Sequence, residues 1–130
     1  MLIDTGAVGT SMAQDVADEL QLKAIRIQET YGAGGLHRNP VFEAILGFSI
    51  QGKRGNLLSL SGEIQAMGIP RLQEYMRSLG LQTPDGFPSR MIGLLGRDLL
   101  RHATLTYEGS KGRFEFKLDL STLQQTIVTS

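Results

Sequence analysis

The sequence near the start of the chain reads Leu2-Ile3-Asp4-Thr5-Gly6-Ala7, a pattern that indicates a strand ending in a tight turn. The two leading apolar residues suit a buried strand. Gly6 permits a sharp bend and the close approach of another group, while the Thr5 hydroxyl can hydrogen-bond local or facing backbone. The pattern therefore predicts that the carboxylate of Asp4 is held where the backbone bends most sharply.

A second motif lies far downstream, at Ile92-Gly93-Leu94-Leu95-Gly96-Arg97-Asp98-Leu99-Leu100. Together the two segments resemble the retropepsins, the single-domain aspartic proteases typified by retroviral proteases. In that family an Asp-Thr/Ser-Gly-Ala turn carries the catalytic aspartate, and a later apolar-apolar-Gly strand threads behind the turn. A short helix follows, often beginning Gly-Arg-Asn/Asp. The order and wide separation of the motifs both match, and the resemblance covers Leu2 to about Leu118.

The resemblance implies a mostly β fold, a closed retropepsin-like barrel with two or three short helices. It implies that Asp4 is catalytic and that the active-site turn is supported by its neighbours Thr5, Gly6 and Ala7. The structural second motif comprises Leu94, Leu95, Gly96, Arg97 and Asp98, of which Arg97 is expected to make an ion pair near a dimer interface. Because the family carries strands ahead of its aspartate, residues 1–130 are expected to be one domain without its N-terminal strand or strands.

Aspartic protease chemistry needs two carboxylates held close together, because such a pair shares one proton and can act as both base and acid. The chain contains a single Asp-Thr-Gly turn. Asp98 and Asp119 lack the Thr/Ser-Gly that would aim a carboxylate in the same way, and Asp85 lies among prolines. The second carboxylate is therefore expected from a second copy of the chain, in a two-fold dimer.

The predicted function is thus an aspartic endopeptidase that acts as a homodimer on an extended polypeptide substrate. Its chemistry requires no cofactor and no metal. The alternative is a non-catalytic retropepsin-like module that serves in dimerisation or peptide binding. Measured peptide cleavage would separate the two.

Composition limits the other classes of function. With 130 residues, 41% of them apolar, the chain can form one globular domain with a real core. Lys+Arg and Asp+Glu both number 13, so no basic excess favours nucleic acid or an anionic membrane. The absence of cysteine excludes disulfides and a cysteine nucleophile. The sequence shows no bilayer-spanning stretch and no signal peptide, so a cytoplasmic location is favoured, with the compartment left open.

Local patterns predict short strands, turns and two helical segments. Ser11-Met12-Ala13-Gln14 fits a capping box, which predicts a helix over about 11–20. Alternation over 24–31 and Val41–Ile50 predicts a β-hairpin with a glycine-rich tip. The apolar face of the second strand would consist of Phe42, Ala44, Leu46, Phe48 and Ile50. A further strand is expected near Leu57–Leu60, and a closing hairpin is expected from Leu105–Tyr107 and Phe114–Leu120.

Residues 63–91 exceed the minimal retropepsin pattern and are predicted to form a helical insertion. Pro70 suits a first helical position and Gly80 suits the C-terminal cap. The apolar stripe between them is most simply core packing, with partner binding as the alternative; it consists of Leu72, Tyr75, Met76 and Leu79. Residues Thr83 to Pro88 are predicted to form a turn-rich loop.

The glycine-rich tip consists of Gly32, Ala33, Gly34 and Gly35. A phosphate-binding loop is disfavoured because no helix start follows it. A plain hairpin turn remains possible, but the position between the two motifs, where the family places its flap, favours a mobile flap over substrate. His37 and His102 are isolated from other metal-ligand residues and are expected to be surface or partly packed side chains.

Overall fold

The computed structural model of the chain describes residues 1–32, 34–52, 54–80, 90–123 and 127–129. Its strands, β1 to β9 in order, are Leu2–Ile3, Ser11–Ala13, Ala24–Gly32, Gly35–Gln51, Leu57–Ile69, Gly93–Leu95, Ala103–Glu108, Arg113–Leu118 and Ile127–Thr129. Its helices, α1 to α4, are Gln14–Glu19, Leu72–Ser78, Arg97–Leu100 and Leu120–Leu123. A single 3-10 turn, Gly109–Lys111, joins β7 to β8. The protein is therefore mostly β with short helices, as the sequence predicts.

The main sheet brings the two sequence motifs together. Its strand order is β1-β6-β2-β5-β4-β3, and β9 pairs with β5. The late strand β6 lies between two early ones, parallel to β1 and antiparallel to β2. Leu2 and Ile3 lie opposite Leu94 and Leu95 in this register. The short segment that carries Asp4 is thus held in the sheet by the second sequence motif.

A long antiparallel hairpin formed by β3 and β4 extends from this sheet, and the register confirms the predicted pairing. In β4 the predicted apolar face is buried or half-buried at Phe42, Ala44, Leu46 and Phe48, while the intervening positions are exposed. The side chain of Ile50 lies outside the described part of the chain. In β3 the apolar side chains of Ile25 and Ile27 are exposed, by 43% and 59% respectively. The opposite, polar face of β3 is also largely exposed, with only Thr30 half-buried.

The core lies where the two longer helices pack against the sheet. One cluster joins α1 to the sheet through Met12, Ala17, Phe42 and Ala66. A second joins α2 to β2 through Ala13, Leu72 and Met76. Burial of these side chains drives the packing, because about 25 cal/mol is gained for each Å² of apolar surface removed from water.

The predicted helix over 11–20 begins later than its sequence signal indicates. Ser11 to Ala13 form β2, which pairs with β5 and β6, and α1 starts at Gln14. No side chain caps α1, and Ser11 is 3% exposed inside the sheet. The capping-box interpretation is therefore wrong, because pairing on both edges satisfies more backbone groups than one cap would.

The predicted boundary of the 63–91 segment is also wrong at its start. Strand β5 runs to Ile69, well beyond the predicted end near Leu60, so residues 63–69 belong to the sheet. Helix α2 covers Leu72–Ser78, and Arg71 at its N-cap has a φ of 56°. The predicted loop from Thr83 to Pro88 lies outside the described residues. Within the described ranges, the structure contains no helix that is both long and apolar enough to cross a membrane.

The stripe of α2 divides between core and surface. Leu72 and Met76 are buried, so core packing holds for this half. Tyr75 and Leu79 are 60% and 53% exposed. Of this stripe the helix therefore buries only Leu72 and Met76, which lie four positions apart on the same face.

The closing hairpin is confirmed as β7 and β8, which pair with each other in a separate two-stranded sheet. Gly112 follows the 3-10 turn with a φ of 58°, a conformation that suits glycine. In the part of the chain that the structure describes, the strand path remains open from β1 to β3. The predicted closed barrel is not formed by these strands, because β1 has two residues and β7–β8 pair away from the main sheet.

Candidate active site

In the turn after β1, hydrogen bonds hold both the backbone of Asp4 and one oxygen of its carboxylate. The backbone N–H of Asp4 donates to the carbonyl of Leu95 at 3.0 Å, which holds the residue against β6. Its Oδ1 accepts hydrogen bonds from the N–H of Gly6 at 3.0 Å and of Ala7 at 3.2 Å. Within the described residues, Oδ2 accepts no hydrogen bond. The turn therefore orients a half-buried carboxylate and leaves one oxygen available.

The two other residues of the motif have separate roles. A Cβ at Gly6 would lie 3.3 Å from Asp4 Oδ1, so glycine allows the chain to curl closely around the carboxylate. Thr5 is exposed, and its hydroxyl makes no hydrogen bond among the described residues. The expected bond from Thr5 to local backbone is therefore not formed within this part of the single chain.

Two glycines of the second motif allow β6 to pass close behind the turn. A Cβ at Gly96 would collide with the backbone of Gly9 and lie 2.8 Å from the nitrogen of Thr10. A Cβ at Gly93 would collide with the carbonyl of Ser11. Both contacts are with backbone, which cannot rotate away as a side chain can. Close packing of β6 against the loop therefore requires glycine at position 96, and its packing against β2 requires glycine at position 93.

Asp98 ties the start of α3 to the loop that follows the turn. Its Oδ2 accepts the N–H of Thr10 at 3.0 Å, and its Oδ1 accepts the Thr10 hydroxyl at 2.8 Å and the N–H of Leu99 at 2.9 Å. The Thr10 hydroxyl in turn accepts the N–H of Gly96 at 3.1 Å. Both oxygens of Asp98 are thus engaged in a structural contact.

Thr10 is the residue of this network that the sequence motifs do not reveal. It is 2% exposed and links the first motif to the second through three hydrogen bonds. A threonine between Gly9 and Ser11 carries no local signal of burial. Its role emerges only from pairing with Asp98, which lies 88 positions away.

Arg97 does not make its expected ion pair within the described part of the chain. Its backbone N–H donates to the carbonyl of Ala7 at 2.9 Å, so its main chain supports the turn. Its side chain is exposed. The ion pair near a dimer interface stays a prediction.

The predicted flap is the far end of the β3–β4 hairpin. The ladder continues to the pair Gly32 and Gly35, and Gly35 has a φ of 97°. Ala33 lies outside the described residues, and Gly34 occupies the exposed tip. Two cross-strand contacts stiffen the hairpin below the tip: Arg38 with Glu29 at 3.0 Å, and Asn39 with Thr30 at 3.1 Å.

A cavity of about 590 Å³ lies between the loop after the turn and the inner face of the hairpin. The loop contributes residues 7–11, and the sheet contributes an apolar floor that includes Val41, Met67 and Leu94. Polar side chains of β3 and β5 form its rim. The cavity adjoins the turn at Ala7, and Asp4 itself is not in its lining.

The two histidines and Asp119 do not join this site. His37 is exposed, and His102 contacts the hydroxyl of Thr122. Hydrogen bonds from the hydroxyl and the N–H of Ser121 lower the pKa of Asp119, which immediately precedes α4. In the described ranges, no three His, Asp or Glu side chains are grouped to hold a metal ion.

Sequence and structure comparisons do not assign this site to a family. The chain matches no protein-family model, no curated protein and no solved structure. The features of the molecule that bear on function are the turn, the second motif and the cavity.

Proposed function

We propose that the protein is an aspartic endopeptidase of the retropepsin type, active as a homodimer in which the Asp4 residues of two copies face each other. The observation that carries the proposal is the state of the Asp4 carboxylate. It is oriented by two backbone N–H groups through one oxygen, while the other oxygen has no partner among the described residues. An oriented carboxylate with a free oxygen can bind and activate a water.

The proposal requires a second copy because the chain supplies one suitable carboxylate. Asp98 is engaged by Thr10 and Leu99, and Asp119 lies at the start of α4. A second Asp4 across a two-fold axis supplies an identical group. The two like charges then share one proton, since both cannot ionise easily at short distance.

In this mechanism the ionised member of the pair takes a proton from the bound water, which attacks the peptide carbonyl. The protonated member donates its proton to the developing oxyanion. When the tetrahedral intermediate collapses, the member that received the water's proton gives it to the leaving amine, and the other member takes a proton back from a hydroxyl of the intermediate. The cavity beside Ala7 receives substrate side chains, and the β3–β4 hairpin closes over the extended chain and excludes water. No step needs a covalent intermediate.

The second candidate function is a non-catalytic dimerisation or peptide-binding module. It is favoured by the hairpin β7–β8, whose apolar side chains share one face in the register. On that face Leu105, Tyr107 and Phe114 are 41%, 72% and 56% exposed. An apolar face of this kind suits contact with another protein surface.

Cleavage of a denatured protein and of peptide libraries, measured from about pH 3 to pH 8, tests the proposal. We expect activity to be highest at acid to mildly acid pH, where a carboxyl pair holds one proton. A statine-type peptide should inhibit it, and a chelator should have no effect. Activity that keeps rising through alkaline pH, or that requires added metal, would contradict the aspartic mechanism. A stable dimer that binds peptides without cutting them would favour the binding module.

A further inference from the structure

The cavity beside the active-site turn has a guanidinium group at its rim. Arg26 on β3 lies opposite Val41 of β4, and Val41 lies opposite Met67 of β5, so all three share the cavity face. The guanidinium donates to the side-chain oxygen of Gln28 at 3.0 Å and to that of Gln65 at 3.4 Å. We refer to Arg26, Gln28 and Gln65 as the cationic rim.

The cationic rim offers a ligand mainly hydrogen-bond donors, because each glutamine oxygen already accepts a hydrogen bond from Arg26. An arginine has five N–H donors and cannot accept, and Arg26 uses two of its donors on the glutamines. Since an arginine can only donate, each glutamine must turn its oxygen towards Arg26 and its NH₂ group away. In the ranges that the structure describes, none of the three side chains makes another hydrogen bond. The remaining N–H groups are therefore free for an anionic acceptor.

The charge of Arg26 is not neutralised within the described part of the chain. Arg38 on the same hairpin, which points to the opposite face, is paired with Glu29 at 3.0 Å. Arg26 has no such carboxylate partner there. Asp98 also lines the cavity, but both its oxygens already accept hydrogen bonds. The cavity lining thus carries the positive charge of Arg26 and the negative charge of Asp98, and of the two only the guanidinium keeps free hydrogen-bonding groups.

The apolar floor of the cavity suits the methylene groups of an acidic side chain. Its floor is apolar, with Val41 2% exposed and with Met67 and Leu94 beside it. A glutamate side chain has two methylene groups that can lie on this floor and a planar carboxylate at its end. Arginine binds a planar carboxylate through parallel N–H donors.

We propose that this cavity is a substrate subsite selective for an acidic side chain, glutamate above aspartate, and that Arg26 is the specificity-determining residue. The inference rests on the proposed peptidase function, because it assigns a substrate class to the same site. Gln28 and Gln65 hold the guanidinium and add donors to the bound carboxylate. Peptides with glutamate at the matching position are preferred to their glutamine analogues by about two- to fivefold at low salt. The preference falls at high salt, since the rim is exposed and its charge is screened.

The test uses two matched libraries of short random peptides, one containing Asp and Glu and the other with Asn and Gln in their place. Products of cleavage by the wild-type protein are sequenced by mass spectrometry, which gives residue frequencies at each position relative to the cut bond. We expect glutamate to be enriched at one position. Cleavage without enrichment of an acidic residue overturns the inference and leaves the proposed function standing.

Three variants test whether Arg26 is the source of the preference for glutamate. Arg26→Gln should abolish the preference for glutamate, and Arg26→Glu should replace it with a preference for lysine or arginine. Arg38→Gln is the matched control, because it removes an arginine from the other face of the same hairpin, and it should keep the wild-type preference. Since Arg26 is exposed, these variants should fold, which thermal unfolding verifies. Glutamate selectivity that survives in Arg26→Gln overturns the role of Arg26.

A binding measurement keeps the inference testable if no peptide is cut. Fluorescence anisotropy with a labelled peptide pair that differs only by Glu or Gln, titrated with the Asp4→Asn protein, reports recognition without catalysis. Tighter binding of the Glu peptide, lost in the Asp4→Asn/Arg26→Gln double variant, supports the subsite. If this binding result is obtained but no peptide is cut, the proposed peptidase function is overturned and the subsite still stands. Equal binding of the two peptides, or none by either, overturns the subsite.

Discussion

At the scale of single residues, Asp4 is the group on which the proposed chemistry depends. Asp4→Asn keeps the shape of the side chain, and its amide oxygen can still accept the N–H groups of Gly6 and Ala7. We therefore expect peptidase activity to fall by about 10²–10⁴-fold, the usual contribution of acid–base catalysis. The free energy of unfolding should change by less than about 0.5 kcal/mol.

Single-turnover cleavage and urea unfolding measure these two effects. Asp18→Asn is the matched control, because Asp18 also accepts a hydrogen bond, from Gln14 at 2.9 Å, but lies on α1. It should keep full activity. An Asp4→Asn protein that still cuts peptides at the wild-type rate would rule out Asp4 as the catalytic group.

Thr10 is expected to matter for stability rather than for chemistry. Thr10→Val keeps the volume but removes a hydroxyl that donates to Asp98 and accepts from the N–H of Gly96. The N–H of Gly96 would then be buried without a partner, which costs about 1–3 kcal/mol. Urea unfolding should show this loss. A variant as stable as wild type would mean that water replaces the hydroxyl at this position.

The placement of single residues was predictable from the sequence only where a motif marks them. Asp4 and Gly96 stand in recognisable patterns, whereas Thr10 and Arg26 do not. The alternation of β3 shows that Arg26 and Ile27 face opposite ways, and the apolar face would ordinarily be assigned to the interior. In the structure both faces of β3 are largely exposed, and it is the polar face that borders the cavity.

At the scale of elements, the approach of β6 to the loop after the turn is the contact that assembles the site. Gly96→Ala would force a methyl group against the backbone of Gly9 and Thr10, with no side chain to move aside. We expect a loss at the upper end of the roughly 1–3 kcal/mol typical of overpacking. Activity per folded molecule should fall too, because Asp4 and Leu95 are hydrogen-bonded in the same region.

Gly47→Ala provides the control for this substitution. A Cβ at Gly47 in β4 would lie 3.8 Å from the carbonyl of Leu60, an ordinary contact. This variant should unfold at a urea concentration equal to or slightly above that of wild type. If Gly96→Ala were as stable as Gly47→Ala, the close packing of β6 would not be required.

Strands in which apolar and polar residues alternate clearly were predictable. Segments whose structure depends on pairing with strands distant in the sequence were not. The alternation in β4 and the β7–β8 hairpin are visible in the sequence and present in the structure. The capping signal at Ser11 was outweighed because β2 pairs with β5 and β6. Pro70 suggests a helix start, but β5 continues to Ile69 and α2 begins only at Leu72.

At the scale of the whole molecule, the proposal requires two copies for one active site. Mixing wild-type protein with Asp4→Asn tests this directly, since exchange of subunits produces dimers with one carboxylate. If such mixed dimers are inactive, equal mixing should leave about a quarter of the dimers active. Specific activity should also rise with protein concentration, in step with the dimer fraction seen by analytical ultracentrifugation.

Two results would contradict this assembly. Activity that is merely halved by equal mixing would indicate sites that work independently. Full specific activity in a sample that sediments as a monomer would require a second carboxylate from the same chain. The whole-molecule prediction could come from the sequence alone, because it depends on the number of Asp-Thr-Gly turns and not on their surroundings.

The pairing of β1 with β6 also has a consequence for the order in which the protein is made. Ile3 and Leu95 are neighbours in the sheet although about 90 residues separate them. At roughly 5–20 residues per second, several seconds of translation separate the synthesis of Asp4 from that of the strand that supports it. Until β6 emerges from the ribosome, the turn lacks the hydrogen bond from Asp4 to Leu95 and its place in the sheet, although Gly6 and Ala7 can already hold the carboxylate. The proposed peptidase would therefore complete its active site only after β6 has been synthesised.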